Sequence, residues 1–112
     1  MTTAHHIEIT STKEHVVVSL NGDVLADTTR PVVLQEGKLP PRYYLRREDV
    51  RMDKLTHSET TSHCPFKGDA TYWSLKDGAP DIAWTYERPI AGAEQIAGLV
   101  CFYNEKVTLE IT

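Results

Sequence analysis

The stretch Ser58–Trp73, SETTSHCPFKGDATYW, brings a thiol, imidazole, amine and three aromatic rings close together in the chain. Cys64 is the nucleophile this set could offer. A cysteine at its reference pKa of about 8.5 is only a few per cent thiolate at neutral pH, and a nearby cation or a run of backbone N–H groups lowers that value. Lys67 and His63 are the neighbours that could do this, with Thr61 assisting, and Lys67 could itself serve as acid, base or electrostatic stabiliser. Pro65 and Gly68 favour a tight turn aiming the sulfur into a cleft. A free cysteine is equally a small hydrophobe used for packing, so Cys64 keeps both readings. Cys101, inside the apolar run LVCFY, is expected in the core, where it is a poor partner for an oxidised Cys64.

The same stretch argues against a metal. Structural zinc takes four Cys or His ligands, typically as two close pairs, and Lys67 stands where the second cysteine of such a pair would fall. His57, His63 and Cys64 supply three ligands at most. No metal and no cofactor are expected.

A second set of residues suggests a binding surface. Tyr72 and Trp73 are adjacent, so in a strand they face opposite sides, whereas Trp84 and Tyr86 share a face. Such rings make rigid apolar walls with polar tips, suited to a small-molecule pocket. With Tyr44, Arg42, Thr61 and Lys67 added, the expected cleft is aromatic with a basic edge, fit for a planar or carboxylated molecule. The alternative is that Trp73, Trp84 and Phe102 are simply sheet core.

The elements that must position these residues are short strands. His15–Leu20 and Asp23–Thr28 flank Asn21-Gly22, the dipeptide suited to the two positive φ values of a type I′ hairpin turn. Arg30–Leu34 and Tyr43–Arg46 follow as strands, separated by Gly37 and Pro40-Pro41. Val50, Met52 and Leu55 fit neither period and allow one helical turn. Ser58–Gly68 is expected as a loop. Asp69–Leu75 and Ile82–Glu87 make a second hairpin, Pro89–Gly98 a short helix, and Leu99–Tyr103 with Lys106–Ile111 a third hairpin around Asn104-Glu105. Residues 1–14 are expected as a flexible tail and 15–112 as a single β domain.

Composition bounds the functional classes. The 112 residues are 40% hydrophobic and 25% charged, an ordinary globular balance that can build one core without disulfides. Twelve Lys and Arg against sixteen Asp and Glu leave a net charge of −4, which disfavours nucleic acid as a partner. Arg42, Arg46, Arg47, Arg51 and Lys54 do bunch, but Glu48, Asp49 and Asp53 interrupt them. No apolar run is long enough to cross a bilayer, and the first residues lack the pattern of a signal peptide. A cytoplasmic protein with reduced thiols, monomer or homodimer, is expected.

The blocks LPPRYYLRREDV, SHCPFKG, GDATYWSL, AWTYERP and IAGLVCFYNEKV, in that order, resemble the family catalogued as domain of unknown function 427, from about His15 to Ile111. The resemblance implies a mainly β, largely antiparallel structure similar to the tent-like (Mss4-like) folds of certain zinc-binding domains and methionine sulfoxide reductases, here with about eight short strands and one short helix. It implies no agreed activity. A nucleotidyltransferase label attached to the family is discounted: such enzymes hold metal and triphosphate on closely spaced acidic residues beside a Gly-Ser turn, and the chain has neither that turn nor an Asp-x-Asp pair.

The leading expectation is a small-molecule binding or accessory protein with its cleft near the Ser58–Gly68 loop. The alternative is an enzyme acting through Cys64, Lys67 or both, with His63. A third reading is an interaction module whose exposed sheet edges pair with a partner.

Overall fold

A computed structural model describes residues 7–112. It is built from ten strands: β1 Ile7–Ser11, β2 Val16–Leu20, β3 Asp23–Thr28, β4 Val32–Glu36, β5 Arg42–Leu45, β6 Leu55–Cys64, β7 Gly68–Leu75, β8 Ala83–Thr85, β9 Val100–Phe102 and β10 Thr108–Ile111. Three single 3-10 turns, Arg47–Asp49, Met52–Lys54 and Glu94–Ile96, are the helical elements among the described residues. The protein is mainly β and its sheets are antiparallel. Seven strands form one sheet in the order β1-β4-β5-β9-β8-β7-β6, and β10-β2-β3 form a second.

Local chemistry explains the β2–β3 hairpin. Asn21 and Gly22 have φ values of 53° and 86°, the pair of left-handed residues that lets a two-residue turn follow the strand twist. The large sheet, by contrast, is assembled from distant pieces: β5 pairs β9, with Tyr44 opposite Cys101, and β9 pairs β8, with Cys101 opposite Trp84.

Each face of the large sheet packs against a different layer. On one face Leu45, Trp73, Ala83, Val100 and Phe102 pack with Val16, Val18, Leu25 and Ala26 of the small sheet. On the other, Val32, Leu34, Tyr44, Trp84 and Cys101 pack with Ala93 and Ile96 from the segment after β8. Alternation along each strand sends neighbours to opposite faces, and with both faces packed β8 and β9 are buried at every position.

Four expectations are corrected. The predicted loop from Ser58 is the second half of β6, which continues to Cys64 and pairs β7. As an edge strand largely open to water, it carries Ser and Thr in place of an apolar alternation. The predicted helix over Pro89–Gly98 reduces to the Glu94–Ile96 turn, because Gly92 and Gly98 take φ of 97° and 73°. Donors of that segment go instead to Lys67 and Tyr86: Ile90 N–H donates to the Lys67 carbonyl and Gly98 N–H to that of Tyr86.

The predicted third hairpin does not form, since β9 lies between β5 and β8 while β10 pairs β2 in the other sheet. The expected tail is a strand over Ile7–Ser11, paired with β4 so that Ile7 and Ile9 cover Leu34 and its neighbours; residues 1–6 lie outside the described residues. Ten strands therefore stand where about eight were expected.

Candidate functional site

The large sheet is strongly curled. β4 and β7 are four positions apart in the strand order, about 19 Å in a flat sheet, yet Lys67 on the β6–β7 turn reaches Glu36 at the end of β4 with Nζ 2.9 Å from Oε1. The curl closes a cavity of about 400 Å³ on the face away from the small sheet.

The turn that delivers Lys67 follows from its sequence. Lys67 N–H donates to the Cys64 carbonyl, with Pro65 at the second turn position, where its fixed φ is favourable. Gly68 then takes φ of 118°, and a Cβ there would lie 3.3 Å from the Arg88 carbonyl oxygen and 3.4 Å from Ile90 N. Only glycine meets both demands without strain.

Aromatic side chains form the walls. Trp84 donates its Nε1–H to the Tyr44 hydroxyl at 3.1 Å in the sheet interior, fixing the indole. The ring of Tyr103 lies 4.6 Å from that of Trp84, and Tyr72 stands nearly parallel to Tyr103 at 6.4 Å. Tyr72 is held by Ser62, whose Oγ is 2.9 Å from its hydroxyl. Tyr86 completes this side beneath Lys67, whose Nζ is 5.8 Å from the ring centre. Leu34, Leu39 and Pro40 supply the apolar remainder.

Charges enter as two ion pairs. Lys67 and Glu36 are nearly enclosed, with side chains 12% and 15% exposed. Arg42 lies over Trp84 at 5.3 Å and Tyr103 at 6.0 Å and faces Glu105, which is 67% exposed. Burial, together with a hydrogen bond to Tyr72, pushes the Tyr103 phenol up to about 12. Burial likewise raises Tyr86 and, more strongly, Tyr44, so these hydroxyls are protonated near neutrality.

Of the residues singled out from sequence, the structure brings Arg42, Lys67, Trp84 and Tyr86 together in the cleft lining, with Tyr44 behind them. Cys64 lies on the same face, half-buried and packed against the same cluster, outside the cleft lining. Cys101 is completely buried, and burial drives its thiol upward.

Thr61 and His63 are directed elsewhere. Ser62 and Cys64, opposite Ala70 and Gly68, belong to the cleft face, so the alternate residues Thr61 and His63 belong to the other, opposite Thr71 and Asp69. His63 Nδ1 is 2.7 Å from Asp69 Oδ1 in an exposed pair. Trp73 also points away from the cleft. It packs toward the small sheet, donates to Thr85 Oγ1 at 2.9 Å, and is covered by His57, stacked at 3.9 Å, and by Arg47 at 5.3 Å. Arg47 is in turn paired with Glu87.

Sequence reasoning missed Tyr103, Glu36 and Glu105 as cleft residues, and of the adjacent pair it chose Trp73 where the structure places Tyr72 in the lining. Tyr103 ends an apolar run that reads as core, and both glutamates flank turns where a carboxylate reads as solvated surface. The one available signal was the register of period two, which puts Tyr103 on the face of Cys101 and Glu36 on that of Leu34. Among the described residues no group of three or more His, Cys, Asp and Glu could hold a metal ion.

An antiparallel β protein with an aromatic cleft on one face of a curled sheet is the class these observations define. The family model described as a domain of unknown function (DUF427) matches residues 8–112, and the chain belongs to that family. No curated protein matches it. No helix among the described residues is long and apolar enough to cross a membrane.

Proposed function

We propose that the chain is a small-molecule binding protein whose ligand lies in the cleft between Trp84, Tyr72, Tyr103, Arg42 and Lys67. The observation that carries this reading is the joining of four aromatic rings and two charged pairs around one cavity of about 400 Å³, within the range of ligand pockets and large enough for one or two rings. The rings are held before anything binds: Trp84 by Tyr44, and Tyr72 by Ser62. Such preorganisation reduces the ordering cost of association.

An enzymatic reading through Cys64 has less support, because the sulfur sits outside the cleft lining and His63 and Thr61 project from the opposite face. Lys67, engaged with Glu36, serves this reading as a wall and a charge.

The test is a thermal-shift screen of the full chain against small planar molecules spanning neutral, anionic and cationic one- and two-ring compounds. At least one class should raise Tm with concentration, as a ligand that binds only the folded state must. The same compounds should change tryptophan emission in the Trp73→Phe variant, whose remaining indole is Trp84, and leave it unchanged in Trp84→Phe. A screen that stabilises nothing, or emission changes that follow Trp73, would remove the proposal.

A further inference from the structure

The charges of the cleft also limit the chemical class of its ligand, an inference that rests on the cleft being a binding site. Arg42 is already oriented: two rings hold its guanidinium and its side chain is only 26% exposed. Both of its terminal nitrogens point at one carboxylate, Nη1 3.3 Å from Glu105 Oε1 and Nη2 3.5 Å from Oε2. This is the parallel fork by which arginine recognises a carboxylate, but at distances longer than a strong charge-assisted bond. Glu105 approaches from the solvent side, and an exposed pair of this kind contributes little.

The second pair behaves differently. Lys67 and Glu36 are enclosed at 2.9 Å, and separating them would strand a charge. Glu105 is therefore the exchangeable partner. When it swings into water, the cleft lining keeps Arg42 and Lys67 against Glu36, a surplus of one positive charge beside the faces of Trp84, Tyr103 and Tyr72. A cationic ligand finds Glu36 engaged by Lys67, and a dianion brings one charge more than the surplus.

We infer that the cleft takes a small planar monocarboxylate, a ring bearing one carboxylate, which displaces Glu105 from the Arg42 fork and lays its ring against Trp84 and the two tyrosines. Glu105 is then a built-in competitor occupying the carboxylate subsite of the free protein. Its own backbone N–H and Arg42 hold its carboxyl below the ordinary range, so it is charged and competing at neutral pH.

The experiment compares benzoate with its neutral isostere benzamide on the isotopically labelled full chain, following the Arg42 Nε–H resonance and the Tyr103 and Trp84 ring resonances by NMR. Benzoate should bind about tenfold more tightly than benzamide, the ratio expected for one charge-assisted fork. Glu105→Gln should tighten benzoate by about threefold, the size of an exposed ion pair, and widen its preference over benzamide. Arg42→Gln should erase the preference while the ring resonances still report benzamide.

Equal affinity for the two probes, or weaker benzoate binding in Glu105→Gln, would overturn the carboxylate inference and leave the cleft reading standing. Failure of both probes to bind, while the wider screen yields neutral ligands, would overturn it in the same way. If neither probe nor any screened compound moves the cleft resonances, both readings fall.

Discussion

Trp73 and Trp84 are adjacent across the sheet in nearly the same chemistry and have opposite roles. Each indole is 7% exposed. Each donates Nε1–H to a buried hydroxyl, Thr85 for one and Tyr44 for the other, and each lies 5.3 Å from an arginine. Their surroundings separate them: the small sheet and the stacked His57 close over Trp73, whereas the face carrying Trp84 is covered by the segment after β8 only in part, and the uncovered remainder is the cleft. A tryptophan with a cation and a hydroxyl is thus not by itself a ligand site. The covering layer decides.

The sharpest way to break this comparison is to truncate both indoles. Trp73→Ala should destabilise the fold by about 3–5 kcal/mol, the usual result of emptying a large core site, while ligand affinity of the molecules that remain folded is unchanged. Trp84→Ala should abolish binding as well as lower stability. Urea unfolding and a ligand titration on each variant read the two effects separately, and a Trp73→Ala chain that stays folded but loses the ligand would reverse the assignment of faces.

The next largest effect concerns the cleft side alone. Lys67→Met removes one partner of the enclosed pair and leaves Glu36 facing an apolar chain, at a loss of about 2 kcal/mol. Adding Glu36→Leu should return most of that loss, because a well-packed apolar pair often replaces a buried ionic one without penalty. Denaturation of both variants checks it; a double variant no more stable than the single one would mean that the pair is held for its charge.

On the covered side, Asp49 ties the 3-10 turn Arg47–Asp49 to the small sheet. It accepts from Thr28 Oγ1 at 2.8 Å and from Arg30 Nε at 3.1 Å. The Arg30 hydrogen bond, opposed by burial and aided by Thr28, lowers its carboxyl below the ordinary 3.8. The unfolded chain then binds the proton more readily than the folded one, so the Asp49 contribution is complete above that ordinary value and fades as pH falls through the lowered folded value. Asp49→Asn should cost about 1 kcal/mol at pH 7, a gap that narrows on acidification below 3.8. A gap constant down to the most acid conditions tolerated would refute the linkage.

The smallest effect sharpens the contrast at Trp73 itself. His57→Ala removes the stacked ring at the rim and should cost about 0.5 kcal/mol, as one exposed aromatic contact does, with an increase in quenching of Trp73 emission by iodide. Unchanged quenching would show that His57 does not shield the indole.

Much of this architecture was legible in the chain. Asn21-Gly22 specifies its turn through two φ values, and alternation correctly divided Tyr72 from Trp73 and joined Trp84 to Tyr86, since both depend on geometry that spans a few residues. Arg42, Lys67, Trp84 and Tyr86 stood out for the cleft because their chemistry is unusual wherever they sit. The thiol set was less legible. Residues 61, 63 and 64 are neighbours in sequence, but once the loop is recognised as strand β6, alternation divides them between two faces.

What the chain by itself determined, then, is local: strand periodicity, the tight turns and the sides to which adjacent rings point. Tertiary structure alone decided that β9 inserts between β5 and β8, that β10 leaves it for β2, and that the sheet curls until Lys67 meets Glu36. The physical reason is that a strand presents similar backbone hydrogen-bonding groups to every potential partner. The choice is made by the joint burial of both sheet faces, a sum over residues far apart in the chain.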